Sequence, residues 1–166
     1  FLLSIFLISG AISLRYELVG VVREPAVGLA KPVLPLLIWL TLFVLIAGTI
    51  VTGSGPHAGD EQAQRFGFDP RVVSWLHADL VIALLVLTSM LFLITRQIGL
   101  TIINKRVGLF LLICLAQGLV GYVQYFTGLP VVLVAIHLLG ATLVWVSGWS
   151  LLKVADSGFK LKGFHL

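Results

Sequence analysis

Two histidines hold equivalent positions in the chain, and both lie inside long apolar segments. His77 follows Pro70 by seven residues, and His137 follows Pro130 by seven residues. Proline is common at the first position of a helix, so each histidine is expected roughly 10 Å beyond a helix start. Each segment also follows an apolar stretch that ends in Thr-Gly. The chain is therefore predicted to contain two related helical hairpins, each contributing one histidine at the same depth.

Paired histidines at matching depth suggest shared ligation of a cofactor. A neutral imidazole donates a lone pair to a metal, and two imidazoles can occupy both axial positions of a haem iron. An ionisable side chain inside a membrane span is costly and marks a functional site by default. We therefore predict that His77 and His137 ligate a haem iron. Gly140 lies on the same helix face as His137 and is expected to let a flat macrocycle approach the backbone.

Two other interpretations of the histidines stay open. Each ring could instead hydrogen-bond a neighbouring carbonyl or hydroxyl group. A bare zinc or copper ion is less well supported, because such sites usually have three or four protein ligands. The further candidates are separated from the pair: Cys114 lies about half a membrane away, His57 is in a loop, and Asp79 is on another helix face.

The composition indicates a membrane environment for these helices. Of 166 residues, 59% are hydrophobic and only 11% are charged, whereas about a quarter of the residues in a soluble domain are charged. This excludes a cytosolic globular protein, a disordered segment and a secreted disulfide scaffold. The apolar runs are continuous rather than alternating, so a transmembrane barrel is not expected. The net charge of +4 comes from loop residues, and no nucleic-acid partner is predicted.

The apolar runs predict one partial and four full transmembrane helices. Their approximate ranges are 1–14, 32–53, 70–95, 107–126 and 130–153. The predicted fold is an all-α integral membrane protein, a four-helix bundle of two related hairpins preceded by the tail of another helix. We divide it into residues 1–31, the end of a truncated helix with a cytoplasmic loop, and residues 32–166, the haem-binding half. The first run is shorter than a span of about 20 residues, so the chain is expected to be a fragment.

Loop charges predict the orientation of the spans. Nine of the eleven Lys and Arg residues fall at one end of the predicted helices, and only Arg65 and Arg71 fall at the other. Under the positive-inside rule, the loop 54–69 is extracytoplasmic and the C-terminus is cytoplasmic. The expected location is the plasma membrane, with membrane lipid around the helices.

Several polar residues are expected near the cofactor. Gln117, Gly121 and Gln124 share one face of the fourth span, and this face should point inward, either for interhelical hydrogen bonds or as a wall of the pocket. Arg71, and less clearly Arg65, could pair with haem propionates. Either arginine could equally be a solvated loop charge. Asp69 is predicted to cap the helix that begins at Pro70.

The sequence resembles the haem A synthase family, closest to its actinobacterial members. The resemblance rests on VTGSGPHAGD followed by LHADL, and on AQGLVGYVQYFTGLPVVLVAIHLLGA with the following Trp145. It covers nearly the whole chain, which is similar to the C-terminal half of these eight-helix proteins. The Cys pair that some members carry in the outer loop of this half is not found in this sequence.

The resemblance implies a function in haem biosynthesis for cytochrome oxidase assembly. The family oxidises the C8 methyl group of haem O to the formyl group of haem A, and its C-terminal half binds haem b through the positions that match His77 and His137. The substrate site and the catalytic acidic residue belong to the other half. This chain alone is therefore expected to bind cofactor without completing the reaction, and no catalytic residue is assigned to it. Haem O synthase, oxidase assembly factors or a second copy are the expected partners.

Two functions of other classes remain as alternatives. A free-standing b-type cytochrome would need only the histidine pair and its haem. A structural or assembly subunit would have no cofactor, and its histidines would serve in packing.

Overall fold

The computed structural model describes residues 1–55 and 64–156, which form five α-helices and one pair of very short strands. All five helices are long and apolar enough to cross a membrane. The predicted all-helical fold is therefore confirmed for the described residues, and the five apolar helices are consistent with a multi-pass membrane protein. In chain order the elements are α1 (Leu2–Val19), β1 (Glu24–Pro25), α2 (Ala30–Ser54), α3 (Pro70–Gln97), α4 (Thr101–Phe126), α5 (Val131–Val154) and β2 (Ala155–Asp156).

Local sequence signals set the ends of several helices. Asp69 caps α3, as predicted, because its side chain accepts a hydrogen bond of 2.8 Å from the backbone N–H of Arg71, and Pro70 occupies the first helical position. The turn between α4 and α5 contains Gly128 and Leu129, both with positive φ, of 77° and 60°. Glycine adopts this conformation without the Cβ clash that disfavours it in other residues. The turn is consequently tight enough to pack α5 back against α4.

Two helices extend beyond the ranges that hydropathy predicts. Helix α4 begins at Thr101 rather than near residue 107, and α1 continues to Val19 rather than ending near residue 14. Hydropathy locates the part of a helix that lies in hydrocarbon, whereas a helix can continue through the polar headgroup region. Asn104 supports this extension, because its Nδ2 donates hydrogen bonds to the Phe92 carbonyl and the Thr95 hydroxyl at 2.8 and 2.9 Å.

The helices pack in a cyclic order. Helix α2 contacts α3 and α5, and α4 contacts the same two helices, while α1 packs against α5. Helices α3 and α5, which carry the two histidines, therefore lie diagonally across the group. The opening residues of α3 and α5 define one end of the helices, here called the loop end. The opposite end carries Arg15, Arg96, Lys105, Arg106 and Lys153 and is called the basic end.

The tightly packed core lies toward the basic end. Leu34, Leu37, Leu91, Phe110 and Leu151 are fully buried there. In α3, α4 and α5, no residue between the loop end and Leu84, Cys114 or Val144 is fully buried. The core is therefore denser at the basic end of these three helices.

Long-range contacts attach α1 and the following segment. Trp145 of α5 donates from Nε1 to the Ser9 hydroxyl at 2.8 Å and to the Ile5 carbonyl at 3.1 Å. Strand β1 pairs in parallel with β2. Next to this pairing, a carboxylate oxygen of Glu24 accepts a hydrogen bond of 2.7 Å from the backbone N–H of Ile103, in the first turn of α4.

Candidate cofactor site

Each histidine packs against a glycine on the preceding helix of its own hairpin. A β-carbon at Gly48 of α2 would lie 3.1 Å from Cε1 of His77, and one at Gly121 of α4 would lie 3.0 Å from Cε1 of His137. Both separations are shorter than an ordinary contact between carbon atoms, which is about 3.5–4.0 Å. The two hairpins thus use the same arrangement, in which glycine provides the space that the imidazole ring occupies.

Neither ring is held by hydrogen bonds from Nδ1. Both histidines are half-buried, and the Nδ1 atom of each is enclosed without a hydrogen-bond partner among the described residues. His77 does lie close to the backbone of Val44. Buried polar atoms are seldom left unpaired in this way. The two histidines lie one on each of the diagonal helices α3 and α5, each seven residues after the proline at its helix start.

A cavity of about 210 Å³ opens at the loop end, and neither histidine lines it. Ser74 and Val134 line it, and each lies one helical turn before the histidine of its helix. Arg71 and Gln124, both predicted site residues, line the same cavity. The Gln124 side-chain oxygen is enclosed without a hydrogen-bond partner among the described residues. The cavity therefore combines a cation, an amide and an apolar wall, and its lining reaches to within one helical turn of each histidine.

The polar face of α4 points inward, as predicted. Gln117 Nε2 donates a hydrogen bond of 2.6 Å to the backbone carbonyl of His137. The side-chain amide of Gln117 also fills the space beside Gly140, at the position a β-carbon would need. Gly140 thus admits Gln117 between α4 and α5, and its predicted contact with a macrocycle remains a prediction.

Among the described residues, neither Cys114 nor Asp79 forms a three-ligand group with the histidine pair. Cys114 is buried in the core of α4, and Asp79 is exposed on α3. Arg65 is half-buried but is not part of the cavity wall, and the prediction for His57 lies outside the described residues. Within residues 1–55 and 64–156, no three His, Cys, Asp or Glu side chains are grouped closely enough to hold a metal ion.

Gly48 is a site residue that sequence reasoning missed. Its signal was present, because it lies four residues before the Thr52-Gly53 pair, and Gly121 lies six residues before the corresponding Thr127-Gly128 pair. Because these spacings differ, the sequence does not reveal that Gly48 and Gly121 have equivalent roles. That equivalence depends on how the two helices of each hairpin pack.

The residues present fit a haem held by two histidines. Each ring has a glycine beside it, and a cavity reaches to within one helical turn of each histidine. The unpaired Nδ1 atoms leave a nitrogen of each ring free of protein partners among the described residues. Two imidazoles suffice for an iron whose other four ligands come from a macrocycle, whereas a bare metal ion needs more protein ligands. The guanidinium of Arg71 is suited to pairing with the propionate carboxylates of a haem.

No family model, curated protein or solved structure matches this chain. The resemblance to the haem A synthase family therefore rests on the sequence motifs alone.

Proposed function

We propose that this chain is the haem b-binding C-terminal half of a membrane haem A synthase. The observation that carries the proposal is the pair of glycine-packed histidines on diagonal helices. The reaction assigned to the full-length protein is oxidation of the C8 methyl group of haem O to the formyl group of haem A. Haem b would supply one-electron transfer, and no catalytic residue is assigned to this half.

In this proposal His77 and His137 would ligate the haem iron. Gly48 and Gly121 keep the preceding helices close enough to prevent the rings from tilting away. The dense core at the basic end fixes α3 and α5 relative to each other, so the distance between the ligands is set by the bundle. Such preorganisation lowers the conformational cost of binding.

Arg71 and Gln124 would orient the group within the cavity. A propionate directed toward the loop end would meet the Arg71 guanidinium, which can form two parallel hydrogen bonds to a carboxylate. The Gln124 amide could donate to the same group. Arg71 lies in the first turn of α3 and would hold a propionate at that end of the helix.

The membrane arrangement is part of the proposal. Helices α2 to α5 would form the four-helix bundle, with the loop end outside the plasma membrane and the basic end in the cytoplasm. The distribution of cations supports this orientation. Haem O synthase and oxidase assembly factors are the proposed partners, since they would supply the substrate and receive the product.

A free-standing b-type cytochrome is the second candidate, because the same histidine pair favours it. The experiment that separates the two functions is conversion of haem O by the full-length protein in a host that makes haem O but not haem A. Extracted haems are then identified by chromatography and mass.

We expect haem A with the wild-type protein and none with His77→Ala or His137→Ala at equal membrane abundance. Leu139→Ala, an exposed position two residues after His137, serves as the control and should retain conversion. Haem b binding without haem A formation by the wild-type protein would contradict the synthase proposal and support the cytochrome. Conversion that survives loss of both histidines would refute their assigned role.

A further inference from the structure

A second cavity lies at the basic end, between α1, α4 and α5, away from the histidines. Its volume is about 420 Å³, within the range of about 300–1,000 Å³ that is typical of ligand sites. Helices α1 and α4 both pack against α5, and the cavity is the groove between them. It is not used by the haem site or by the function proposed above.

The lining of this groove changes from charged to apolar along the helices. Arg15 of α1 and Arg106 of α4 line the groove toward the basic end, with Ser150 of α5. Ile113 of α4 and Leu143 of α5 line it farther toward the membrane centre. Seven residues separate Arg106 from Ile113, which corresponds to roughly 10 Å along the helix axis.

Within residues 1–55 and 64–156, the two arginines that line the groove, Arg15 and Arg106, are not paired with a carboxylate. Both line one cavity, so they can contact the same anion. Arginine suits a phosphate particularly well, because its planar guanidinium forms two parallel hydrogen bonds to phosphate oxygens.

We propose that this groove binds one anionic phospholipid from the leaflet at the basic end. The headgroup phosphate would lie between Arg15 and Arg106, and an acyl chain would extend along Ile113 and Leu143. Basic pockets between transmembrane helices on the cytoplasmic side are suited to anionic headgroups. A phospholipid fits both halves of the groove, since it joins a phosphate to a long apolar chain. A free phosphate would leave the apolar half unfilled.

The proposal can be tested by native mass spectrometry of the chain released from nanodiscs. The discs contain equal amounts of phosphatidylglycerol and phosphatidylcholine, and the measured quantity is the ratio of the two lipids retained on the protein. We expect the wild-type chain to retain one lipid that is strongly enriched in phosphatidylglycerol. Substitution of Arg15→Gln with Arg106→Gln should reduce this enrichment by about 30-fold, or about fivefold for each arginine.

A matched control removes two charges from the same end outside the groove. Arg96→Gln with Lys105→Gln lowers the net charge equally, and both residues are exposed and absent from the groove lining. This variant should keep the enrichment within about twofold of wild type, because neither side chain lines the groove and screened attraction is weaker than direct hydrogen bonding to a phosphate. In a third variant, Leu143→Trp would fill the apolar half at a half-exposed position and should expel the lipid without changing any charge.

Three results would overturn the proposal. Unchanged enrichment in the double arginine variant would show that Arg15 and Arg106 do not bind the headgroup. Equal losses in that variant and in the Arg96/Lys105 control would indicate general surface attraction. Loss of the bound lipid on adding inorganic phosphate, with retention in Leu143→Trp, would identify a phosphate site instead. None of these results depends on haem, so they are separable from a failure of the proposed function.

Discussion

Adding a methyl group beside each histidine is the most specific perturbation of the candidate site. In Gly121→Ala the new β-carbon would lie 3.0 Å from Cε1 of His137, and in Gly48→Ala it would lie 3.1 Å from Cε1 of His77. Carbon atoms normally approach to about 3.5–4.0 Å. The imidazole, the helix or both must therefore shift by several tenths of an ångström.

The expected energy follows from two opposing contributions. Overpacking of this kind typically costs about 1–3 kcal/mol. Replacing glycine with alanine inside a helix recovers about 1 kcal/mol of helix propensity. The net loss of stability should consequently be about 0–2 kcal/mol for either variant. If the displaced imidazole ligates haem, haem affinity should fall as well. Each 1.4 kcal/mol of lost binding free energy lowers the affinity about tenfold.

Gly118→Ala is the matched control on the same helix. A β-carbon at Gly118 would meet no atom within 4 Å, so only the gain in helix propensity of about 1 kcal/mol should remain. The free energy of unfolding of Gly118→Ala should therefore exceed that of Gly121→Ala by about 1–3 kcal/mol, although both variants add the same methyl group to α4.

The assay is denaturation of the detergent-purified protein, followed by circular dichroism, together with haem retention measured on the same preparations. We expect Gly121→Ala and Gly48→Ala to unfold at lower denaturant concentration than Gly118→Ala. They should also release haem faster. If all three variants have the same stability and the same haem retention, the close packing of glycine against histidine is refuted as a feature of the site.

Three further predictions concern the cavity and the attachment of the first helix. Arg71→Ala should weaken haem retention without changing the absorption spectrum, because the ligands stay in place; a changed spectrum with full retention would oppose the propionate role. Trp145→Phe should destabilise the protein by about 1–2 kcal/mol through loss of its bonds to α1, and a double-mutant cycle with Ser9→Ala should give a coupling of about 0.5–1.5 kcal/mol. Additive effects would exclude that contact. Glu24→Ala should cost about 0.5–2 kcal/mol by removing the acceptor for Ile103 N–H, and an unfolding midpoint equal to wild type would contradict this.

The arrangement along each helix could be predicted because it depends on local spacing. Pro70 and Pro130 set the register of His77 and His137 within their helices. The cap formed by Asp69 could also be predicted from local sequence, because it needs only one suitable side chain immediately before a helix start. The inward face of α4 followed from the three-and-four spacing of its polar residues.

Contacts between distant segments could not be predicted in the same way. The bond from Trp145 to Ser9 joins residues 136 positions apart, and the bond from Ile103 to Glu24 spans 79 positions. Nothing in the local pattern of either segment specifies its partner. Gly48 illustrates the same limit, since its role depends on how closely α2 approaches α3. The early start of α4 was missed because hydropathy falls at the membrane surface although the helix continues.

Cofactor binding by the histidine pair is tested most directly by a reduced-minus-oxidised absorption spectrum of the purified chain, with a pyridine haemochrome assay to identify the haem. We expect a b-type signal in the wild-type protein and in His57→Ala, and its loss or strong disturbance in His77→Ala and in His137→Ala. A folded, helical preparation that takes up no haem, or a signal that survives both of those substitutions and disappears in His57→Ala, would contradict the proposed site.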